Sequence, residues 1–405
     1  MRLTKRTTLL YSGGQVGSGA FYAFNNFVLP QLLRAVGAPD LLIGLLSSTR
    51  SIEGTVIQPT VGAISDRLRT RFGRRRPFIA IAIPLSAVFF LVASGQRDVL
   101  GLAVAIFLFS IFFNIAYDPY VALIADIAEP AERALLSGVS NGTQLIAQVA
   151  FLFAVARASV DGIPAWTYAV TAALLVGGFA LTALGIREPA GVVDERGPKL
   201  GFGGYVGALI RRAMAMRFLA CIFAFNVGFA AVLPYLTLFI VDDIHQSEET
   251  ALALAAGTLL VTALSAIAFG RLAERVASKP ILVAGWALLA VAAVGGTVIQ
   301  DLPQTIAVVV IAGVGNGAAT AVAWPLLTTL IPAEEAGVFA GLKAAAESVS
   351  IPLSVTIAAE LFLPRFGYRG IFALLAIFIV IALGMLISLV RPPRVAPASG
   401  GTSLR

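Results

Sequence analysis

Hydrophobic positions in this chain run together rather than recurring at the period of an amphipathic helix or strand. Mostly apolar stretches broken by charge, proline or glycine fall near 8–34, 41–63, 77–96, 99–127, 134–158, 164–186, 218–241, 249–270, 280–299, 304–330, 336–362 and 368–390. Roughly 20 apolar residues carry a helix through a hydrocarbon core, so each stretch predicts one membrane-crossing helix. Continuous runs without two-residue alternation exclude the strands of a membrane β-barrel. The expected fold class is all-α integral membrane, with twelve transmembrane helices. Composition agrees: of 405 residues, 58% are hydrophobic and 13% charged. That is about half the charge of a soluble domain.

Charge orients the spans. The net charge is +7, from 29 Lys and Arg against 22 Asp and Glu. With an even number of spans both ends lie on one side, and 22 of the 29 basic residues fall there, against five (Arg34, Arg97, Arg157, Arg365, Arg369) on the other. The positive-inside rule then expects a multi-pass cell-membrane protein with both termini in the cytoplasm. The excess charge therefore reads as basic loops, not as a nucleic-acid site. The acidic stretch Asp242, Asp243, Glu248, Glu249 faces outward, with the single histidine, His245. One histidine and one cysteine (Cys221) exclude disulfide frameworks, HExxH-type metal chemistry and CxxC redox pairs. No metal or cofactor is expected. No cleavable signal peptide is evident, so the first span should stay in the membrane.

The two halves echo each other. Gly62-A-I-S-Asp66-Arg67 at the end of span 2 matches Gly270-R-L-A-Glu274-Arg275 at the end of span 8, 208 positions on, and Arg71 matches Lys279. Asn114 matches Asn316 at 202, as does Pro130-A-E with Pro332-A-E. A-F-N followed by V-L-P occurs around Asn25 and again around Asn226. Such a repeat predicts a six-plus-six duplication: a bundle over 1–186, a connector over 187–217, a second bundle over 218–391 and an unstructured tail over 392–405. Within the connector, 205–216 reads either as a short amphipathic helix on the membrane surface or as a solvated linker.

The most specific segment is Gln58-P-T-V-Gly62-A-I-S-Asp66-Arg67-L-R-T-R-F-Gly73-Arg74-Arg75-Arg76-Pro77-F-I. One carboxylate with six arginines on a short loop pins that loop to the cytoplasm. A glycine one turn before the aspartate also lets a second helix approach, and the carboxylate can meet that helix's positive N-terminal end. The pattern suggests a charge latch between moving helices.

The segment resembles the G-x-x-x-D-R-x-G-R-R loop of the major facilitator superfamily. Its longer form is similar to plant-type sucrose:proton symporters and their relatives among the glycoside–pentoside–hexuronide:cation symporters. The resemblance implies two six-helix bundles that rock about one midplane cavity. It also implies a gating latch drawn from Gly62, Asp66, Arg67, Gly73, Arg74, Asp126, Arg133, Glu274 and Arg275. Melibiose-type members bind their cation through acidic residues on span 2, where this chain has Gly54 and Gln58. Plant sucrose carriers have an aspartate on span 4 where this chain has Ser110.

Ionisable groups at bilayer depth are costly and mark function by default. Arg50 and Glu53 share a face of span 2, Lys343 and Glu347 a face of span 11, and Asp118 precedes Pro119 on span 4. These five are candidates for proton coupling, against a structural reading as neutralised pairs. Tyr22, Asn25, Asn26, Asn114, Tyr117, Asn141, Gln144, Asn226, Asn316 and Trp324 are candidates for a sugar cavity, since amides recognise hydroxyls and aromatic faces stack on sugar C–H faces. Interhelical hydrogen bonding needs the same residue types. The expected protein is not an enzyme. It is a monomeric secondary transporter of a small polar solute, coupled to a cation and embedded in lipid; the alternative is a proton-driven exporter of an amphipathic compound.

Overall fold

The computed structural model describes residues 4–48, 61, 64–65, 70, 72–129, 132–160, 162–186, 212–332 and 335–391. Helices dominate these residues. In chain order they are α1 (Lys5–Ala23), α2 (Leu29–Ala35), α3 (Asp40–Leu46), α4 (Arg76–Ser94), α5 (Val99–Ala122), α6 (Ile124–Ile127), α7 (Arg133–Ala158) and α8 (Trp166–Gly185). The second half continues with α9 (Ala213–Phe229), α10 (Val232–Leu238), α11 (Glu248–Leu272), α12 (Ser278–Val298), α13 (Leu302–Thr328), α14 (Ala336–Ile357), α15 (Leu363–Phe366) and α16 (Gly370–Leu389). Among the described residues, nine helical runs are long and apolar enough to cross a membrane, the last of them, Val338–Leu389, covering two predicted spans. The first predicted span falls outside the nine because Ser, Gly and Gln interrupt its apolar run. Most of the second lies outside the described residues.

Local chemistry sets the boundaries. Asp98 caps α5 by accepting from the Gly101 amide at 2.8 Å, and Asp301 caps α13 by accepting from the Gln304 amide at 2.9 Å. Thr4 and Ser247 cap α1 and α11 in the same way. Each side chain satisfies an N–H that the first helical turn leaves without a partner. The seventh span begins at Ala213, earlier than the sequence pattern placed it. Residues 213–216 are its first turn, with Ala215 fully buried, and the rest of the predicted connector, 187–211, lies outside the described residues, as does the tail over 392–405.

Among the described residues three turns widen to π-helix: Phe24–Val28, Phe239–Asp243 and Ala358–Phe362. The first and third are each followed, two residues later, by a proline (Pro30, Pro364). Proline cannot donate to the carbonyl four residues back and its ring crowds that carbonyl, so the helix loosens one turn earlier.

Packing follows the duplication. α1 packs on α7 and α8, and α4 on α5 and α8; correspondingly α9 packs on α14 and α16, and α12 on α13 and α16. Helix starts repeat too: Arg76 with Ser278, Val99 with Leu302, Arg133 with Ala336 and Trp166 with Gly370, at offsets of 202 to 204. Glycine permits the closest approaches: a Cβ on Gly17 would stand 2.6 Å from the Leu174 carbonyl oxygen of α8. α1 is also tied to α5 by stacked Tyr11 and Tyr120 rings, 4.5 Å apart, whose hydroxyls donate to each other's backbone carbonyls. Across the halves, α7 packs on α11, α10 on α2, and α14 on α3.

Candidate functional site

One end of the bundle carries Arg74–Arg76, Arg133, Arg271 and Arg275 and is called here the basic end; the loops at 35–40, 243–248 and 366–370 form the distal end. Between them lies a seam of polar and aromatic side chains on the first half. Gln144 of α7 donates from Nε2 to the Tyr117 hydroxyl of α5 at 3.3 Å. The Tyr22 ring stands edge-on to Tyr117, with centroids 5.9 Å apart, and to Phe113 at 6.1 Å. Asn26 lies one turn on from Tyr22 and is half-buried. Asn25, in the first π turn, is 1% exposed, and neither polar atom of its carboxamide has a hydrogen-bond partner. An amide buried in this way costs on the order of 1–3 kcal/mol for each unmet group. It is the most costly polar group of the seam.

Other sequence candidates sit differently. Asn114 and Asn226 each donate to a carbonyl of their own helix four residues back (Ser110 and Ile222), both at 2.9 Å. Asn141 is exposed and donates to the Ser137 hydroxyl at 3.4 Å. Trp324 is also exposed. Asn316 lines a cavity of about 70 Å³ walled mainly by the second half, with Phe229, Leu236, Thr258 and Phe372, and closed by Phe27 of the first. That cavity is almost wholly apolar. The two halves therefore present unlike surfaces: amides and phenols from the first, hydrocarbon with isolated hydroxyls from the second.

Of the coupling candidates, Lys343 and Glu347 form an ion pair along α14. Asp118 is half-buried on α5, just before Pro119. Arg50 and Glu53 lie outside the described residues.

At the basic end, Gly73 turns the chain with φ 101°, a left-handed conformation that favours glycine. The turn brings Arg74 and Arg75 onto one carboxylate, Asp126. Arg74 pairs with one oxygen, and Arg75 Nε reaches the other at 2.5 Å with its side chain only 7% exposed. Arg133 donates to the Ala125 and Ala128 carbonyls, closing the end of α6. Gly62, Asp66 and Arg67 lie outside the described residues, and Glu274 and Arg275 are exposed.

Sequence reasoning passed over several groups here. Arg76 donates to the Ala183 carbonyl at the end of α8, and Lys279 donates to the Ile387 and Val390 carbonyls at the end of α16. Each cation satisfies carbonyls and the negative end of a helix dipole. Arg212 binds Glu335 through two contacts, at 2.9 and 3.2 Å. The nearly constant repeat offset was the signal for the first pair, since Arg76 and Lys279 open equivalent helices.

The distal end was missed altogether. Arg34 pairs with Asp242 at 3.1 Å, and its guanidinium lies 5.7 Å above the Tyr368 ring. The Tyr368 hydroxyl donates to Asp40 Oδ1 at 2.9 Å, and the Tyr235 hydroxyl donates to the Asp40 carbonyl at 2.7 Å. Thr237 donates to the Phe27 carbonyl of the first π turn at 3.2 Å. Gly44 has no room for a side chain, because Tyr235 and Val355 occupy the space a Cβ would take. All these contacts join one half to the other. Arg34 was legible as one of few basic residues on its side, and Asp242 as part of the acidic stretch.

A helical membrane protein of two like halves with a polar seam and a tied distal end has the architecture of a major facilitator transporter. The chain belongs to the MFS/sugar transport protein family, whose model matches residues 10–391. It is 32% identical over 145 residues to the human proton-associated sugar transporter A, covering 30% of this chain and 19% of that protein. It is 26% identical over 157 residues to the sucrose transport protein SUC4 of Arabidopsis thaliana, covering 35% of this chain and 30% of that one. The chain thus spans less than a third of the length of these relatives. Among solved structures it is similar to a D-xylose-proton symporter (TM-score 0.74, 14% identity, covering 96% of this chain and 98% of that one). It is also similar to the nucleoside transporter NupG (TM-score 0.72, 11% identity, covering 95% and 98%). At such identities these likenesses establish the fold.

Proposed function

We propose that the protein is a secondary active transporter that moves a sugar or glycoside by proton-coupled alternating access. The observation that carries this reading is the Tyr22–Tyr117–Gln144 cluster beside the unpaired carboxamide of Asn25, in a chain of a sugar-transport family. Phenol and amide groups offer both donors and acceptors to sugar hydroxyls, and the Tyr22 ring offers a face to sugar C–H groups. Asn25, lacking any partner of its own, gains most from a bound hydroxyl.

Coupling requires a buried carboxylate that alternates between charged and neutral forms, and Glu53, Glu347 and Asp118 are the candidates, in that order. Arg50, three positions before Glu53 in the sequence, and Lys343, paired with Glu347, are the cations these carboxylates would release on protonation. The Lys and Arg distribution argues for a cell-membrane protein with the basic end and both termini in the cytoplasm. Asp66 and Arg67, with Gly62, would latch that end when it closes. A monomer in the bilayer suffices for this mechanism.

The apolar cavity around Asn316 favours one second reading, proton-driven export of an amphipathic compound. Proteoliposomes with an inward proton gradient separate the two. Radiolabelled sucrose or maltose accumulates if the first holds, whereas dye efflux without sugar uptake supports the second. Glu53→Gln should abolish concentrative uptake yet keep counterflow exchange at equal pH, which needs no net proton movement. If both survive at wild-type levels, Glu53 is not the coupling site.

A further inference from the structure

Helices α7 and α11 meet between the halves, and towards the distal end their contact is tight, with Leu152, Val155, Leu252 and Ala255 fully buried. Towards the basic end they part around a cleft of about 480 Å³, lined by residues 141–150 of α7 and 260–267 of α11. Leu145, Ile146, Val149, Leu260 and Ile267 make its walls apolar. Ile146 and Ile267 are 72% and 56% exposed, so the cleft opens sideways, to the bilayer. With about 1.5 Å of rise per residue the two stretches run ~14 and ~10 Å along their helices. One leaflet contributes about 15 Å of hydrocarbon. The cleft therefore has the depth and polarity of an acyl chain, and offers a sugar nothing.

The rim nearest the basic end is different. Among the described residues of the wall Asn141 alone is polar, and it spends one N–H on the Ser137 hydroxyl at 3.4 Å. Arg271 follows Ile267 by one turn, on the helix face that carries Leu260 and Ile267, and Arg275 follows Arg271 by one more. Both arginines are exposed, and among the described residues neither pairs with a carboxylate. Glu274 stands between them and leaves the trio with one net positive charge. The groove between α4 and α8, about 160 Å³ and also near the basic end, makes the contrast. There Arg76 donates to the Ala183 carbonyl, so its cation is already committed.

We propose that the cleft between α7 and α11 is a binding site for one anionic phospholipid, with an acyl chain between the helices and the phosphate on Arg271 and Arg275. The apolar stems of the arginines lie along the end of α11 and carry their guanidinium groups to the level of the headgroups. The guanidinium fork matches phosphate oxygens, and arginines next to a membrane span attract anionic lipid. A headgroup with one net negative charge balances the trio of Arg271, Glu274 and Arg275, whereas a zwitterionic headgroup brings its own cation against the arginines. Asn141 then faces the ester groups of a lipid, as donor and acceptor, instead of a sugar. The inference rests on the chain's embedding in a bilayer and not on the nature of the cargo.

The test extracts the protein into mild detergent from vesicles of equal parts phosphatidylglycerol and phosphatidylcholine and weighs it intact by native mass spectrometry. One phosphatidylglycerol per chain should survive washing that strips phosphatidylcholine. Arg271→Gln should lower its retention roughly fivefold, and Arg271→Gln with Arg275→Gln should abolish it. Gly142→Phe should abolish it too: a Cβ there would meet nothing within 4 Å, and the ring takes the place of the acyl chain. Ala80→Phe, in the groove between α4 and α8, should change nothing. The thermal midpoint of the parent should rise with the share of phosphatidylglycerol, and that of the double arginine variant should not. Should Gly142→Phe fail to fold, Ala263→Leu fills the cleft from its other wall. Phosphatidylglycerol retained by the double variant and by a filled cleft overturns the proposal. So does equal retention of the two lipids, and so does a parent stripped of lipid, whether it weighs as a monomer or as a dimer whose second copy covers the cleft. A protein that keeps the lipid but moves no sugar leaves this inference standing and sinks the sugar reading instead.

Discussion

The distal and basic ends use similar residues to opposite effect. At the distal end, Arg34–Asp242, Asp40 with Tyr235 and Tyr368, and Thr237 with the Phe27 carbonyl all run between halves. At the basic end, the contacts Asp126 makes with Arg74 and Arg75, Arg76 with Ala183, Arg212 with Glu335, and Lys279 with α16 all stay within a half. One set of polar contacts holds the halves together, and the other stiffens each half as a unit. A transporter that rocks needs both, because a contact between halves must break in each cycle whereas one within a half must not.

Four experiments sharpen or break that contrast. Asp126→Asn should have the largest effect. It removes the charge that Arg74 and Arg75 share, one of them nearly buried, and breaking a buried ion pair costs about 3 kcal/mol. The thermal midpoint in nanodiscs should fall clearly while distal distances stay put; an unchanged midpoint would mean that Asp126 does not organise the first half. Asp66→Asn, at near-equal volume, should leave the midpoint alone and shift spin-label distances across the basic end towards open. A coupling of about 1 kcal/mol would cut transport roughly fivefold. Unchanged distances together with full transport would remove Asp66 from any latch. Tyr235→Phe deletes the hydroxyl that donates to the Asp40 carbonyl across the halves, worth about 1 kcal/mol, so the distal-open population should grow several-fold in distances measured across that end. Arg34→Ala with Asp242→Ala, taken as a double-mutant cycle, should show the smallest coupling. Their side chains are 50% and 32% exposed, so about 0.5 kcal/mol at low salt, vanishing near 1 M, is expected. A larger, salt-insensitive coupling would make this pair the principal lock.

The spans were legible because a bilayer demands long apolar runs whatever the fold does inside. The duplication was legible because its offset survives in glycines, prolines and charges. The inward faces were not. Lipid tails are as apolar as a helix core, so the apolar pattern cannot say which side of a span meets protein: Asn141 lines the cleft between α7 and α11, whereas Asn316 lines an almost wholly apolar cavity. Asn114 and Asn226 each spend one N–H on a carbonyl of their own helix, a bond that residue type alone does not announce. Arg34 and Asp242 lie in different halves of the chain, 208 positions apart, and the packing of α2 against α10 brings their segments together. The π turns left a clearer trace, in the leucine–proline pairs at 29–30 and 363–364, but nothing in apolar patterning distinguishes a widened turn from an ordinary one.

That widened turn has a consequence for how the first helix can be edited. A π turn holds one more residue than an α turn in nearly the same length, and one α-helical residue is a rotation of about 100°. Deleting a single residue from Phe24–Val28 would restore regular winding with almost no change in length or facing, whereas rewinding all five residues as α-helix would swing everything beyond them by roughly a quarter turn. In the rewound helix Arg34, Gln31 and Leu33 would each face a new neighbour, though none had been substituted. The turn therefore works as a register key: it fixes which face of the outer segment meets the second half, independently of which residues that face carries.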